Sequence, residues 1–353
     1  MGKTNSVKII IGVKDIHAAV AINEIGARLG TLTIPVRPKG YRDLEIWARA
    51  FGVIHAFGIE GTGSYGAGLS RFLQAKGHSV VEVNRPNRQL RHQNGKSDSL
   101  DAENAARAVL GGQANARPKS ADSSVEMIRH LKVARDTAVK SRTQAMITLK
   151  TIIINAPAAL RQALDRIIGK MALIRHLAAL RPGPILSATA SAKAALRAIA
   201  RRWLMLDAEI RAHDADLEAL TASCAPAMLE AHGISTGTAA EMLILVGDNP
   251  ERIRSEAAFA KLCGACPIPA SSGKTNRHRL NRGGNRQANA ALYRVVIVRM
   301  RSHQPTLDYV KKRKADGKGK MEIIRCLKRF IAREIFGYLC GARQSLTSLP
   351  KTT

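Results

Sequence analysis

The sequence predicts an α/β domain followed by all-α segments, and three observations carry that reading. Over roughly the first 110 residues, short apolar strands alternate with helical spacings. From Ser123 to Cys224 the pattern is helical almost throughout and rich in Ala. Aromatic residues make up only 4% of the 353 positions, so Ala, Leu, Ile and Val must fill the cores. That length exceeds one ordinary domain and suits two with a connector between them.

Residues 7–22, VKIIIGVKDIHAAVAI, read as an apolar strand, a polar interruption and a second strand. Asn23-Glu24-Ile25-Gly26 turns the chain into a third β-rich run, LGTLTIPV. Arg42 to Phe51 has helical spacing, and Val53 to Ile59 is a short strand that ends at Glu60 in the loop EGTGSYG. Gly68 to Lys76 is helical and HSVVEVN is a strand. Sheets built this way carry their sites beyond the carboxyl ends of strands, where Asp15 and Glu60 fall.

A basic loop with Arg85, Arg88, Arg91 and Lys96 then meets Asp98 and Asp101. Ser97 or Ser99 would cap the next helix, with both acids in its first turn, on one face and near the surface. Early-turn acids often serve only the helix dipole, so spacing alone is weak support for a metal role. The helical stretch from Ser123 breaks at Pro157 and again at Pro182-Gly183-Pro184, and Ala188 to Cys224 is helical once more. This middle region reads as a helical arm or as one face of a bundle.

Leu229 to Leu243 then reads as helix, glycine-bounded turn and helix, a helix-hairpin-helix pattern whose turn amides can grip a phosphate. Lys311 to Lys320 is expected as a basic loop, Met321 to Cys340 as a closing amphipathic helix, and SLTSLPKTT as a disordered tail.

Charge narrows the possible partners. The formal net charge is +29, which points first to nucleic acid and only second to an anionic membrane surface. No apolar run approaches the ~20 residues that span a bilayer, and MGKTNSVKIIIGV lacks the core and cleavage site of a signal peptide. Five Cys, an odd number, suit reduced thiols in a cytoplasm. Cys263-Gly-Ala-Cys266 has the spacing of half a zinc site but no second pair, and is read as structural.

The most distinctive stretch is Cys263 to Tyr293. No Asp or Glu occurs between Ala257 and Leu307, while Lys261, Lys274, Arg277, Arg279, Arg282, Arg286, Arg294, Arg299 and Arg301 all do. Ordinary solvated faces mix both signs, so a segment this one-sided looks built to hold phosphates. Ser271 and Ser272 sit in its turn before Gly273, where a hydroxyl could attack phosphorus while guanidinium groups hold the charge. The acids Asp15, Glu60, Asp98 and Asp101 form a second constellation, with oxygen ligands of the kind Mg²⁺ takes.

IEGTGSYG, KSDSLDAENAARAV, HGISTGTAA and above all SSGKTNRHRLNRGGNRQANAALY resemble transposases of the insertion-sequence 110 family, including its 1111 branch. The resemblance covers nearly the whole chain. It implies a RuvC-like (RNase H-like) DEDD domain over 1–120, a helical or coiled-coil connector over 121–224, and a mainly helical transposase domain with a catalytic serine over 225–345. It further implies a site-specific recombinase of its own mobile element, working in the bacterial cytoplasm at the nucleoid as a dimer or tetramer. Its partners would be the element ends and target DNA, with an element-encoded guide RNA and Mg²⁺ at the acids.

By residue, Glu60 matches the second family acid, Asp98 and Asp101 the third and fourth. Ser272 matches the nucleophile, with Ser271 in reserve. Lys274, Arg277, Arg279, Arg282 and Arg286, with Arg88, Arg91 and Lys96, are the expected nucleic-acid contacts. The first acid departs from the pattern. Branch members read like GVDTHKDIH, whereas this chain reads Gly12-Val13-Lys14-Asp15-Ile16-His17, as if three residues including the first Asp were missing. Asp15 matches the later Asp and is the remaining candidate for the metal. A competing reading follows from that loss, an inactive relic that only binds DNA or RNA.

Overall fold

A computed structural model describes residues 8–13, 18–83, 97–120, 123–274 and 278–341. The chain divides into two compact units, one of residues 1–121 with 249–254 and one of 122–248 with 255–353.

The first unit is a five-stranded sheet with helices. Its strands are β1 (Lys8–Val13), β2 (Ala18–Ile22), β3 (Arg28–Thr33), β4 (Val53–Glu60) and β5 (Val80–Val83), in the order β3-β2-β1-β4-β5. β1 runs antiparallel to β2 and parallel to β4, so the sheet is mixed. The β1 run KIIIGV and the β2 run AAVAI are apolar at nearly every position, as strands covered on both faces must be. The helices are α1 (Pro38–Arg49), α2 (Ala67–Ala75) and α3 (Asp98–Leu110). One core joins Ile9, Ile11, Phe57 and Ile59 of the sheet to Leu44, Leu69 and Leu73 of α1 and α2. A second joins Ile10, Val20 and Ile22 to Ala102 and Ala106 of α3.

A short return segment, not foreseen in the sequence, also belongs to this unit. Asn249 Nδ2 donates to the Pro118 carbonyl at 2.9 Å and Arg252 Nε to the Arg117 carbonyl at 3.1 Å. Arg252 also reaches the Glu82 carboxylate at 3.5 Å.

The second unit is helical apart from one small hairpin. Two long helices, α4 (Ser124–Ile154) and α7 (Ala188–Cys224), pack along each other. At ~1.5 Å rise per residue, each exceeds 40 Å. The shorter α5 (Ala158–Asp165) and α6 (Lys170–Ala179) close a core of Leu149, Leu160, Leu164, Ile174, Leu177, Leu196 and Trp203. Lys170 and Arg142 both stand over the Trp203 ring, at 4.7 and 5.5 Å from its centre, covering its faces with charge.

Beyond the long pair come α8 (Pro226–Glu230), α9 (Thr236–Val246), α10 (Glu256–Leu262), α11 (Arg286–Ser302), α12 (Gln304–Ala315) and α13 (Lys320–Phe336). α9 is buried on almost every side, which its TAAEMLILV run permits. The helix, glycine-bounded turn and helix expected over Leu229 to Leu243 correspond to α8 and α9, and Gly233 between them has a left-handed φ of +80°. There a Cβ would lie 3.3 Å from Val298 of α11, so a second constraint also favours glycine. The expected basic loop over 311–320 is instead helical through Ala315. Its Lys-rich run lacks any breaker before Gly317, and Lys and Arg are good helix formers.

Candidate acidic and serine sites

Backbone packing decides where the acidic residues fall. In the parallel pairing of β1 and β4, Gly12 faces Gly58 and Val13 faces Ile59, so Glu60 ends β4 one step beyond. α3 starts at Ser97, whose hydroxyl accepts the Leu100 N–H at 3.2 Å, and its first turn carries Asp98 and Asp101. The helix lies directly on the glycines, since a Cβ on Gly12 would fall 1.7 Å from the Ala102 carbonyl oxygen. One on Gly58 would meet Val109 at 2.8 Å. Running from Ala102 to Ala106 and Val109, α3 descends onto Ile10 and Ile22. Its first turn therefore points to the carboxyl ends of β1 and β4.

Glu60 is 9% exposed and Asp101 only 2%, while Asp98 is half-buried. The expectation that these acids sit near the surface is thus corrected for Asp101, which the α3–sheet packing encloses. Carboxylate oxygens are the donors that hard divalent cations take. Among the described residues, however, no group of three or more His, Cys, Asp or Glu is arranged to hold an ion. Asp15 lies outside the described residues, as do Arg88, Arg91 and Lys96 of the basic loop.

The serines belong to the second unit. β6 (Pro267–Pro269) pairs antiparallel with β7 (His278–Leu280), Ile268 facing Arg279. This hairpin replaces the simple turn expected there. Ser271, Ser272, Gly273 and Lys274 lie in its connection, all exposed, and Gly273 takes a left-handed φ of +52°. Arg279, Arg282 and Arg286 are exposed beside it, and Arg277 lies outside the described residues.

The base of the hairpin is tightly fixed. Asn289 Nδ2 donates to the carbonyls of Cys263 and Gly264, each at 3.0 Å. Asn281 Nδ2 donates to the Lys261 carbonyl at 3.0 Å and approaches Cys266 Sγ at 3.5 Å. Gly284 packs so closely on Gly264 that a Cβ would lie 2.2 Å from its nitrogen, so only glycine fits there. Cys263 is buried, and burial pushes its thiol up to about 12, so it packs as a small apolar group.

Not every cation of the acid-free stretch is available to a ligand. Arg299 Nη1 and Nη2 donate to the two Glu334 oxygens at 2.7 and 2.9 Å, and Nε donates to the His232 carbonyl at 2.7 Å. Its acid comes from α13, far along the chain, so the local sequence gave no sign of neutralisation. The sequence also gave no prominence to Lys328 of α13, which is 6% exposed and donates to Asn289 Oδ1 at 2.9 Å. Its only signal was an unusual position on the apolar face of the closing helix.

Residues 13–154 match the family model of the IS110 DEDD transposases, and residues 225–311 match that of the Transposase IS116/IS110/IS902 family. No curated protein matches the chain. Both matches are to transposase families, and the chain is a DNA transposase. Together the two matches take in more than half of the residues, and the chain belongs to the IS110 family.

Proposed function

We propose that this transposase cuts and rejoins DNA through Ser272, with Ser271 in reserve, guided by an element-encoded RNA and assembled as an oligomer. Residues 1–120 are read as a RuvC-like domain, 121–224 as the connector and 225–345 as the serine domain. The observation that carries the serine reading is the exposed Ser271–Lys274 connection on a hairpin fixed at its base and flanked by exposed Arg279, Arg282 and Arg286. An exposed hydroxyl on a hairpin fixed at its base, beside planar cations that match two phosphate oxygens at once, suits attack on phosphorus.

In that step the Ser272 hydroxyl gives up its proton as the Oγ–P bond forms, one P–O bond of the DNA backbone breaks, and the departing sugar oxygen takes up a proton in exchange. The ester keeps the bond energy for rejoining. Asp15, Glu60, Asp98 and Asp101 are the residues that would hold Mg²⁺, which would stabilise charge on phosphate oxygens when bound.

Ser272→Ala is expected to keep DNA and RNA binding and to lose the covalent protein–DNA adduct, read as a labelled band that survives denaturation. An adduct that persists in Ser272→Ala and disappears in Ser271→Ala moves the assignment by one residue. Cleavage without any adduct overturns the serine mechanism.

The wording Gly12-Val13-Lys14-Asp15 at the end of β1 favours a second reading, a binding protein that has lost its chemistry. Inserting Asp-Thr-His between Val13 and Lys14 should then raise recombination. A parent chain already as active as the insertion variant rejects the relic.

A further inference from the structure

At the base of the serine hairpin opens a cleft of about 710 Å³, walled on one side by Pro267 and β7 and on the other by α12 and α13. Its charges are unequal in availability. Lys318 pairs with Glu322 at 3.0 Å, and Arg329 is held by Glu256. Arg279, Arg325 and Lys328 also line the cleft, and none of the three has a carboxylate partner among the described residues. Lys328 is the most telling of them. It is almost wholly buried, it donates to the neutral amide oxygen of Asn289, and burial together with Arg325 lowers its pKa. A buried ammonium without a counter-charge is costly, and an anion in the cleft would relieve it.

The same wall carries aromatic rings. Tyr309 and Phe330 meet edge to face at 5.3 Å between centres, and Phe330 remains 45% exposed. In a protein with only 4% aromatic residues, an exposed ring beside three uncompensated cations has an evident use. Cations that track a backbone, next to a ring that accepts a base, are how single-stranded nucleic acid is held. Duplex DNA hides its base faces within the stack and has no use for such a ring.

We propose that this cleft takes an unpaired nucleotide of a single strand, its phosphate on Arg279, Arg325 and Lys328 and its base on Phe330. That places a single-strand grip at the root of the hairpin that carries Ser271 and Ser272. The occupant's origin, a melted DNA strand or an RNA, rests on the recombinase reading; the grip itself does not.

The test measures binding of a labelled oligothymidylate of roughly 12 nucleotides, the matching oligouridylate and a duplex of the same length. The full chain carries Ser272→Ala so that no covalent product forms. Phe330→Leu, which keeps the apolar contact with Tyr309 but loses the ring face, should weaken single-strand binding about tenfold and leave duplex binding unchanged. Phe330→Tyr should bind as the parent does. Arg325→Ala, at an exposed position, should weaken the single strand and reduce its salt slope by about 1.

A loss on oligothymidylate assigns a DNA strand, a loss on oligouridylate alone assigns RNA, and either supports the cleft. Parent-like single-strand binding by Phe330→Leu overturns it. The serine reading fails separately: cleavage without an adduct rejects Ser272 while a Phe330→Leu defect still upholds the cleft. An adduct with no Phe330→Leu defect does the reverse.

Discussion

Arg299 shows how little a single residue's chemistry means without its partner. In the sequence it is one more cation in a stretch without acids; in the fold it is a buried guanidinium closed by both oxygens of Glu334. Hydrogen bonds from Arg299 hold the Glu334 carboxyl below its ordinary value, although partial burial opposes the shift. A depressed folded-state pKa contributes stability that is present above the unfolded value and is lost as pH falls through the folded one. Glu334→Gln should therefore cost about 2–3 kcal/mol near neutrality, toward the lower end for breaking a buried pair because Glu334 is itself a third exposed. The difference in melting temperature between the variant and the parent should shrink as pH falls below the ordinary Glu value of about 4.3. A difference that stays constant through that fall would show that the pair adds nothing through its charge.

At the scale of elements, α3 is the decisive piece of the first unit. Its start was legible, since Ser97 caps it and Asp98 and Asp101 follow in the first turn. Its depth was not. Gly12 looked like the end of an apolar strand, whereas it is the point where the Ala102 carbonyl touches the sheet. Gly12→Ala must push α3 away, and overpacking of this kind costs about 1–3 kcal/mol. The helix carries two of the acids proposed to hold a metal, so on that proposal DNA cleavage should fall together with the melting temperature. Gly63→Ala, at a position with nothing within 4 Å, is the matched control and should leave both unchanged. Equal melting of Gly12→Ala and the parent would mean that α3 does not rest on β1 as described.

For the whole molecule, the net charge of +29 dominates association. Each phosphate neutralised by Lys or Arg releases condensed counterions, so affinity for DNA or RNA should fall steeply with salt. With six or more phosphates contacted, the slope of log affinity against log salt should be about −5 or steeper. A nearly flat slope would remove nucleic acid as the main partner. None of the described helices is long and apolar enough to cross a membrane.

The sequence by itself determined the strand and helix alternation of the first unit, the long helices 124–154 and 188–224, and the family. These were legible because periodicity, caps and short motifs are local properties of the chain. Only tertiary structure decided that Asp101 is enclosed, that Arg299 is neutralised by Glu334, and that residues 249–254 belong with the first unit. It also turned the serine loop into a hairpin and set Lys328 and Phe330 beside it. Each of these depends on a partner dozens of residues away, and burial or pairing between distant segments leaves no periodicity to read in either one.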